Sequence, residues 1–250
     1  IKLAYPVFNT DRTVGARLAG KIAGRWGNEG LEPGTIQIDL EGSAGQSLGA
    51  FTIEGMRIVL RGETNDYAGK GMAGGELVIA CPIPNERHDV IVGNTALYGA
   101  TGGVFLAGGS AGERFAVRNS GATAVVEGVG HHGCEYMTSG LVAILGNTGK
   151  NFGAGMTGGI AYVYDPHTRL PGRCHSDFVI LENVSSEDDQ ETLRKLVLHH
   201  QVATKSPVAA AILADWSEAV NDFWKVVPLA SLHVPLEGEH EVEFAEAGGE

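Results

Sequence analysis

Gly69-Lys-Gly71-Met72-Ala-Gly74-Gly75 and Asn151-Phe-Gly153-Ala-Gly155-Met156-Thr-Gly158-Gly159 are one phrase written twice, and the sequence between them keeps its pace. Each copy ends in a glycine pair, carries a methionine three residues before the last glycine, and runs into apolar residues at alternate positions. Comparable endings stand at Gly75, Gly103, Gly121, Gly140 and Gly159, with separations of 28, 18, 19 and 19 residues. The long first interval holds Cys81-Pro-Ile-Pro-Asn-Glu-Arg-His-Asp89, which reads as an inserted loop; removing it restores the period. Met72, Met137 and Met156 occupy the place three before the terminal glycine, with Ala100 and Arg118 there in the other coils. Two and four residues after that glycine come Leu77/Ile79, Thr123/Val125, Val142/Ile144 and Ala161/Val163. The coil beginning at Val104 fits only with a one-residue slip.

Alternate apolar residues mark short strands with one buried face. A unit of this length has no room for a crossover helix and cannot bury its apolar face alone. Successive turns can bury it by stacking at the ~4.8 Å spacing of paired strands. The expected fold is therefore all-β: a right-handed parallel β-helix of about six to seven coils, handedness following the general preference for parallel crossovers. Glycine is needed at the corners, where the backbone turns left-handed or approaches its neighbour closely. The chain has 37 glycines, about 15% against the usual ~7%, and 27 of them lie between Gly42 and Gly159. The left-handed hexapeptide β-helix needs a six-residue apolar cadence, which these intervals do not supply.

The flanks differ in character. Residues 1–35 read as an N-terminal helical cap: Val14, Leu18 and Ile22 recur on one face, Trp26 extends it, and Gly27 and Gly30 stop it. The β-helix is expected over 36–184 and C-terminal helices over 185–230. Ser186 followed by Glu187, Asp188 and Asp189 is an N-cap signal for the first helix, whose apolar face is Leu193, Leu196, Val197 and His200. Ser206-Pro207 starts the second, with Ile212, Trp216, Val220 and Phe223 along one side and Pro228 near its end. Residues 231–250 form an acidic tail. Both helical segments are expected to dock on the ends or flanks of the stack, where open strand edges need covering.

Eighteen Lys and Arg against 30 Asp and Glu give a net charge of −12, which repels a phosphate backbone, and no basic run offsets it. Nucleic-acid binding is excluded on that ground. No apolar stretch approaches the ~20 residues of a membrane helix. Three widely spaced cysteines, Cys81, Cys134 and Cys174, suit a reducing cytoplasm rather than a disulfide framework. The chain opens on Ile1 without a signal peptide, as expected for a piece of something longer.

A glycine-rich sequence manufactures signature matches. Gly69-x-Gly71-x-x-Gly74 and Gly153-x-Gly155-x-x-Gly158 satisfy the dinucleotide fingerprint, but a strand follows each where that site needs a helix. Gly45-Gln-Ser47-Leu-Gly49 and Gly108-Gly-Ser110-Ala-Gly112 match a nucleophile elbow without its strand-to-helix turn. Gly146-Asn-Thr-Gly-Lys150 lacks the first glycine of a phosphate loop. His131, His132 and Cys134 are the compact metal-capable set; adjacent strand residues point to opposite faces, so the expectation is a polar corner with a buried thiol and no metal. Glu113, Glu127 and Glu135 are candidate paired acids for sugar chemistry, with ion pairing to Arg114 and Arg118 the plainer reading.

Several segments carry a family resemblance in one order: Asn9-Thr-Asp-Arg-Thr-Val-Gly-Ala-Arg-Leu-Ala-Gly20, Gly69 to Gly75, Ile91 to Gly103, Ala111 to Ala122, Cys134-Glu-Tyr-Met-Thr138, Asn151 to Gly159, and Phe223-Trp-Lys-Val-Val-Pro228. Together they resemble the C-terminal domain of the glutamate synthase large subunit, over about residues 5–230. The resemblance implies a right-handed β-helix within an ammonia-assimilating enzyme. There, an N-terminal cysteine releases ammonia from glutamine, and a tunnel delivers it to an FMN-bearing barrel that makes glutamate from 2-oxoglutarate. None of the family's catalytic residues falls on this chain, so FMN and an iron–sulfur cluster are expected in the rest of the enzyme. The implied role is a non-catalytic scaffold whose partners are the amidotransferase and FMN-binding domains, in cis or in trans. The alternatives are a stand-alone scaffold protein of the same fold and a relative of the formylmethanofuran dehydrogenase polypeptide that carries a related domain.

Overall fold

A computed structural model describes residues 1–82 and 89–232; most of the inserted loop and the acidic tail fall outside them. The strands are β1 (Lys2–Val7), β2 (Ile36–Ala44), β3 (Met56–Thr64), β4 (Ala73–Ala80), β5 (Val90–Val92), β6 (Gly102–Ala107), β7 (Ser110–Ala111), β8 (Ser120–Val126), β9 (Ser139–Ile144), β10 (Ile160–Tyr164), β11 (Val179–Asn183) and β12 (Phe223–Pro228). One face of the stack runs β1-β2-β3-β4-β6-β8-β9-β10, all parallel. A narrower second face pairs Thr64 with Val92, Val92 with Ala111 and Ala111 with Val129. Six stacked coils result, which is the parallel β-helix the repeat implies.

The interior is a set of residue columns. Ile58, Leu77, Phe105, Ala124, Val142 and Ala161 are in register, and beside them Leu60, Ile79, Ala107, Val126, Ile144 and Val163; all are buried. Two expected positions shift here. Thr123/Val125 do not face the interior; Ala124/Val126 do, and Val125 packs under the helices instead. Register shifts fall in two places: between Ala73 and Glu76, where β4 meets β6 at the coil in which the sequence suggests a slip, and between Ser120 and Thr123 one coil later. A one-residue slip inverts every side chain downstream of it. By the same shift, Asn119 rather than Arg118 completes the buried column of Met72, Ala100, Met137 and Met156. Its amide bridges its own turn, donating to the Ala122 carbonyl at 2.9 Å and accepting from the Ala122 N–H at 2.9 Å.

Each coil closes with a turn in which every second residue is left-handed. The triplets are Ser47/Gly49/Phe51, Tyr67/Gly69/Gly71, Thr95/Leu97/Gly99, Arg114/Ala116/Arg118, His132/Cys134/Tyr136 and Asn151/Gly153/Gly155. The middle members point inward: Leu97, Ala116 and Cys134 are fully buried. Outer members point to solvent or lie at its margin. The turns hold one another by backbone bonds such as Thr95 N to Glu113 O (2.7 Å) and Arg114 N to His131 O (2.8 Å). A non-glycine residue in this conformation costs roughly 1–2 kcal/mol, and a β-branched one is a true outlier. Thr95, at φ 59°, is the β-branched member. Thr95→Gly is expected to stabilise the chain by about 1 kcal/mol, reversing the usual penalty for introducing glycine; urea unfolding checks it.

Terminal glycines fall into two kinds. Gly75, Gly103, Gly140 and Gly159 are left-handed, with φ of 69°, 86°, 98° and 80°. Gly121 is not; it is there because a Cβ would overlap the Thr101 carbonyl of the coil above.

The flanks carry more strand than the sequence suggests. Helix α1 (Ala16–Trp26) buries Ala19 and Ile22 at the N-terminal end, while Trp26 is exposed. The same N-terminal segment also contains β1, an edge strand with only Val7 buried, so no apolar alternation announces it. Helix α2 (Glu187–Thr204) is capped by Ser186 Oγ, which accepts from Asp189 N, and α3 (Pro207–Ala214) starts at Pro207 with Ser206 as cap. Helix α3 is shorter than expected: the chain breaks at Asp215 into a short α4 (Trp216–Ala219), and Phe223–Pro228 is strand β12, antiparallel to β10 and β11. The β-branched pair Val226-Val227 suits a strand better than a helix. Ile212, Val220 and Phe223 still share one buried cluster, with Val78, Leu106, Val125 and Tyr162 from the outer face of the wide sheet. From β3 to β10 that sheet is thus covered on both faces, while the outer side of β1 and β2 stays open. Tyr162 donates to Asp189 at 2.6 Å and Lys225 reaches the same carboxylate at 2.8 Å, pinning α2 to the last strands.

Candidate functional site

Outer members of the left-handed triplets, with residues that stand between them, build a groove of about 470 Å³ along one corner of the stack. Tyr67, Lys70, Thr95, Tyr98, Arg114, Val117, Arg118 and Tyr136 line it. The Lys70 ammonium lies 5.6 Å from the Tyr67 ring centre and 5.9 Å from that of Tyr98. The Arg118 guanidinium lies 5.7 Å from that of Tyr136. Tyr136 itself rests on Gly155, where a Cβ would come within 2.5 Å of the ring. Among the described residues neither Lys70 nor Arg118 meets a carboxylate, whereas Arg114 pairs with Glu135 at 3.1 Å. The result is a cationic, aromatic, solvent-facing strip on a molecule whose net charge is −12.

A second polar cluster is sealed. Glu127, His200 and Ser206 are 1%, 0% and 2% exposed. One carboxylate oxygen of Glu127 accepts from Ser206 Oγ and lies 3.4 Å from His200 Nε2, while His200 Nδ1 has no partner. Burial holds the His200 pKa below its ordinary value, opposed by Glu127. Although the trio contains the residue types of a hydrolytic triad, the serine proton goes to the carboxylate and not to the imidazole, and no substrate can reach it. It is a clasp: Glu127 follows β8, His200 is on α2, and Ser206 caps α3.

The remaining candidates are dispersed. His131 Nδ1 accepts from the Lys150 N–H at 2.9 Å, and His132 bonds Glu135 at 3.2 Å. Cys134 points into the core, where burial pushes its thiol up, and burial raises Cys174 to about 12. Protonated, buried thiols are poor metal ligands. No group of three metal-capable side chains forms among the described residues. Of the three acids, Glu135 makes ion pairs, Glu127 is in the clasp, and Glu113 is exposed. Arg118 stacks on a ring instead of pairing. Neither Ser47, in a left-handed turn, nor Ser110, in β7, has the strand-to-helix setting of a nucleophile. Both dinucleotide-type glycine strings lead into strands, β4 and β10.

A family model described as the GXGXG motif matches residues 1–229. The chain belongs to the GXGXG family. It does so in the form that glutamate synthase large chains carry. It is 51% identical over 228 residues to ferredoxin-dependent glutamate synthase 2 of Synechocystis sp., covering 90% of this chain and 14% of that protein. To the NADH glutamate synthase of Schizosaccharomyces pombe it is 50% identical over 225 residues, 89% of this chain and 11% of the relative. With the NADPH glutamate synthase large chain of Azospirillum brasilense the identity is 48% over 243 residues, 94% and 16%. The chain therefore spans about a seventh of the length of the relatives it matches. Within this GXGXG domain, the fourth and fifth coils have no glycine in their left-handed triplets, Arg114/Ala116/Arg118 and His132/Cys134/Tyr136, while the other four coils keep one or two there. No helix among the described residues is long and apolar enough to cross a membrane.

Proposed function

We propose that this chain is a rigid, non-catalytic brace within a glutamate synthase, holding an amidotransferase domain and an FMN-bearing synthase domain in fixed relation. The observation that carries this reading is architectural: the wide sheet is packed inside by the coil columns along its length and, from β3 to β10, outside by the C-terminal helices, so it resists bending far better than a linker. Ammonia passed between two sites without loss requires those sites to keep their distance and alignment. A second support lies in the relatives: identity to this chain is 51%, 50% and 48% although their names give ferredoxin, NADH and NADPH as donors. A domain that handled the electrons would be expected to track the donor. In this reading FMN and an iron–sulfur cluster reside elsewhere in the enzyme, and three widely spaced cysteines suit a reducing compartment such as the cytoplasm.

The test uses the complete enzyme. Gly159→Val forces a β-branched residue into φ 80° against the Gly140 carbonyl at 2.8 Å, loosening the last coils. Expected are free ammonia released during glutamine-dependent turnover and retained glutamate synthesis from added ammonia. Unchanged coupling, in a variant whose β-helix is shown by hydrogen exchange to have opened, overturns the brace. The isolated chain is expected to show neither glutaminase activity nor glutamate formation.

A further inference from the structure

We infer that the corner groove between Tyr67 and Tyr136 is a docking face for an acidic segment of the same enzyme lying outside these 250 residues. The inference rests on the reading above, that a larger enzyme surrounds this domain, and adds which face meets it and what chemistry the contact has.

Backbone conformation supplies the first argument. The outer left-handed position is glycine in three coils, at Gly71, Gly99 and Gly155, so the turn accepts the unstrained residue. In the neighbouring coils the same position holds Arg118 (φ 54°) and Tyr136 (φ 54°), and the preceding outer position holds Tyr67 (φ 64°) and Arg114 (φ 59°). Such side chains are normally supported by burial. Here Tyr67 and Tyr136 are 39% and 50% exposed. Large side chains kept at strained positions without burial point to a contact made outside the chain.

Charge supplies the second. Acids outnumber bases by 30 to 18, yet Lys70 and Arg118 project into this groove without a carboxylate. Tyrosine and arginine are the residues enriched where proteins meet, since they supply area and hydrogen bonds with little loss of freedom. An acidic partner would place carboxylates between Lys70 and Arg118 and bury the tyrosine rings against its backbone. Length supplies the third: relatives carry roughly six times as much polypeptide beyond the matched region, and that is where the occupant resides.

The experiment is photocrosslinking in the complete enzyme, with p-benzoylphenylalanine replacing Tyr98 and, as a control, Leu198, which is 49% exposed on α2. Tyr98 is expected to capture a peptide of the same polypeptide with more Asp and Glu than Lys and Arg. The pair Lys70→Glu/Arg118→Glu is expected to lower that yield at least fivefold while far-ultraviolet circular dichroism stays unchanged. Capture of a neutral or basic peptide, of a second copy, or of nothing overturns the docking face, as does capture that survives charge reversal, and so does competition by a small anion such as phosphate in place of a peptide. If Leu198 captures other domains while Tyr98 captures none, the brace stands and this face fails. If neither position captures anything and coupling survives the opened helix, the brace fails as well.

Discussion

Gly62→Ala is expected to cost the fold at least about 4 kcal/mol, a large fraction of the ~5–15 kcal/mol that stabilises a typical domain. Gly62 sits in β3 at φ 152°, in register with Gly42 of β2 at φ 130°. A Cβ at Gly62 would overlap the Gly42 carbonyl oxygen, and one at Gly42 would overlap the Val7 carbonyl of β1. The three strands are nested at this bend, which lets β2 and β3 run continuously from the wide face onto the narrow one. The obstruction is backbone, so no rotamer change relieves it. Two controls separate the sources of cost. Gly34→Ala, at φ 76° with nothing near the new atom, should lose only about 1 kcal/mol. Gly172→Ala, in open space at an ordinary φ, should lie within about 0.5 kcal/mol of the parent. Urea midpoints at constant m-value report all three. A Gly62→Ala variant within 1 kcal/mol of the parent would show that the strands are not nested here.

The same geometry explains what the sequence could and could not announce. Period and phase of the coils were legible because glycine marks both left-handed corners and close carbonyl approaches, and those two needs recur once per coil. Where glycine was absent the signal failed. Asn119 replaces the backbone solution at one corner with a side-chain bridge to Ala122, and the slip it permits moved Val125 from the expected interior to the outer face. The left-handed residues of coils four and five are arginine, alanine, histidine, cysteine and tyrosine, of which only histidine is a type enriched in that conformation. Helix starts at Ser186 and Ser206-Pro207 were readable because capping is local. Strands β1, β11 and β12 were not, because edge and antiparallel closing strands here bury few alternate residues. As for the groove, its residues are scattered from 67 to 136 and meet only through stacking. The acid Glu127 was visible as a residue but not as a clasp, since its partners lie 73 and 79 positions away.

That clasp carries the second large effect. Glu127→Ala should destabilise the chain by about 3–5 kcal/mol, because it strips a fully buried histidine and serine of their acceptor. The loss should fall on the helices first: Ser206 caps α3 while bonding Glu127, so hydrogen exchange in α2 and α3 should accelerate more than in β6 or β8. Removing both charged or polar partners together, as in Glu127→Met/His200→Leu, should recover most of the loss, since nothing buried is then left unpaired except the Ser206 hydroxyl, which still caps α3. The clasp also sets a pH dependence. Burial lowers the His200 pKa in the fold, so the unfolded chain binds the proton more readily. Stability is therefore held above the unfolded value of ~6.5 and lost as pH falls below it, with a limiting slope of about 1.4 kcal/mol per pH unit from this one group. The slope ends only at the folded-state pKa. Urea unfolding at successive pH values, with the double variant as reference, isolates the contribution. If parent and double variant fall in parallel between pH 6.5 and 5, His200 is not held neutral in the fold, and the clasp is an ion pair instead.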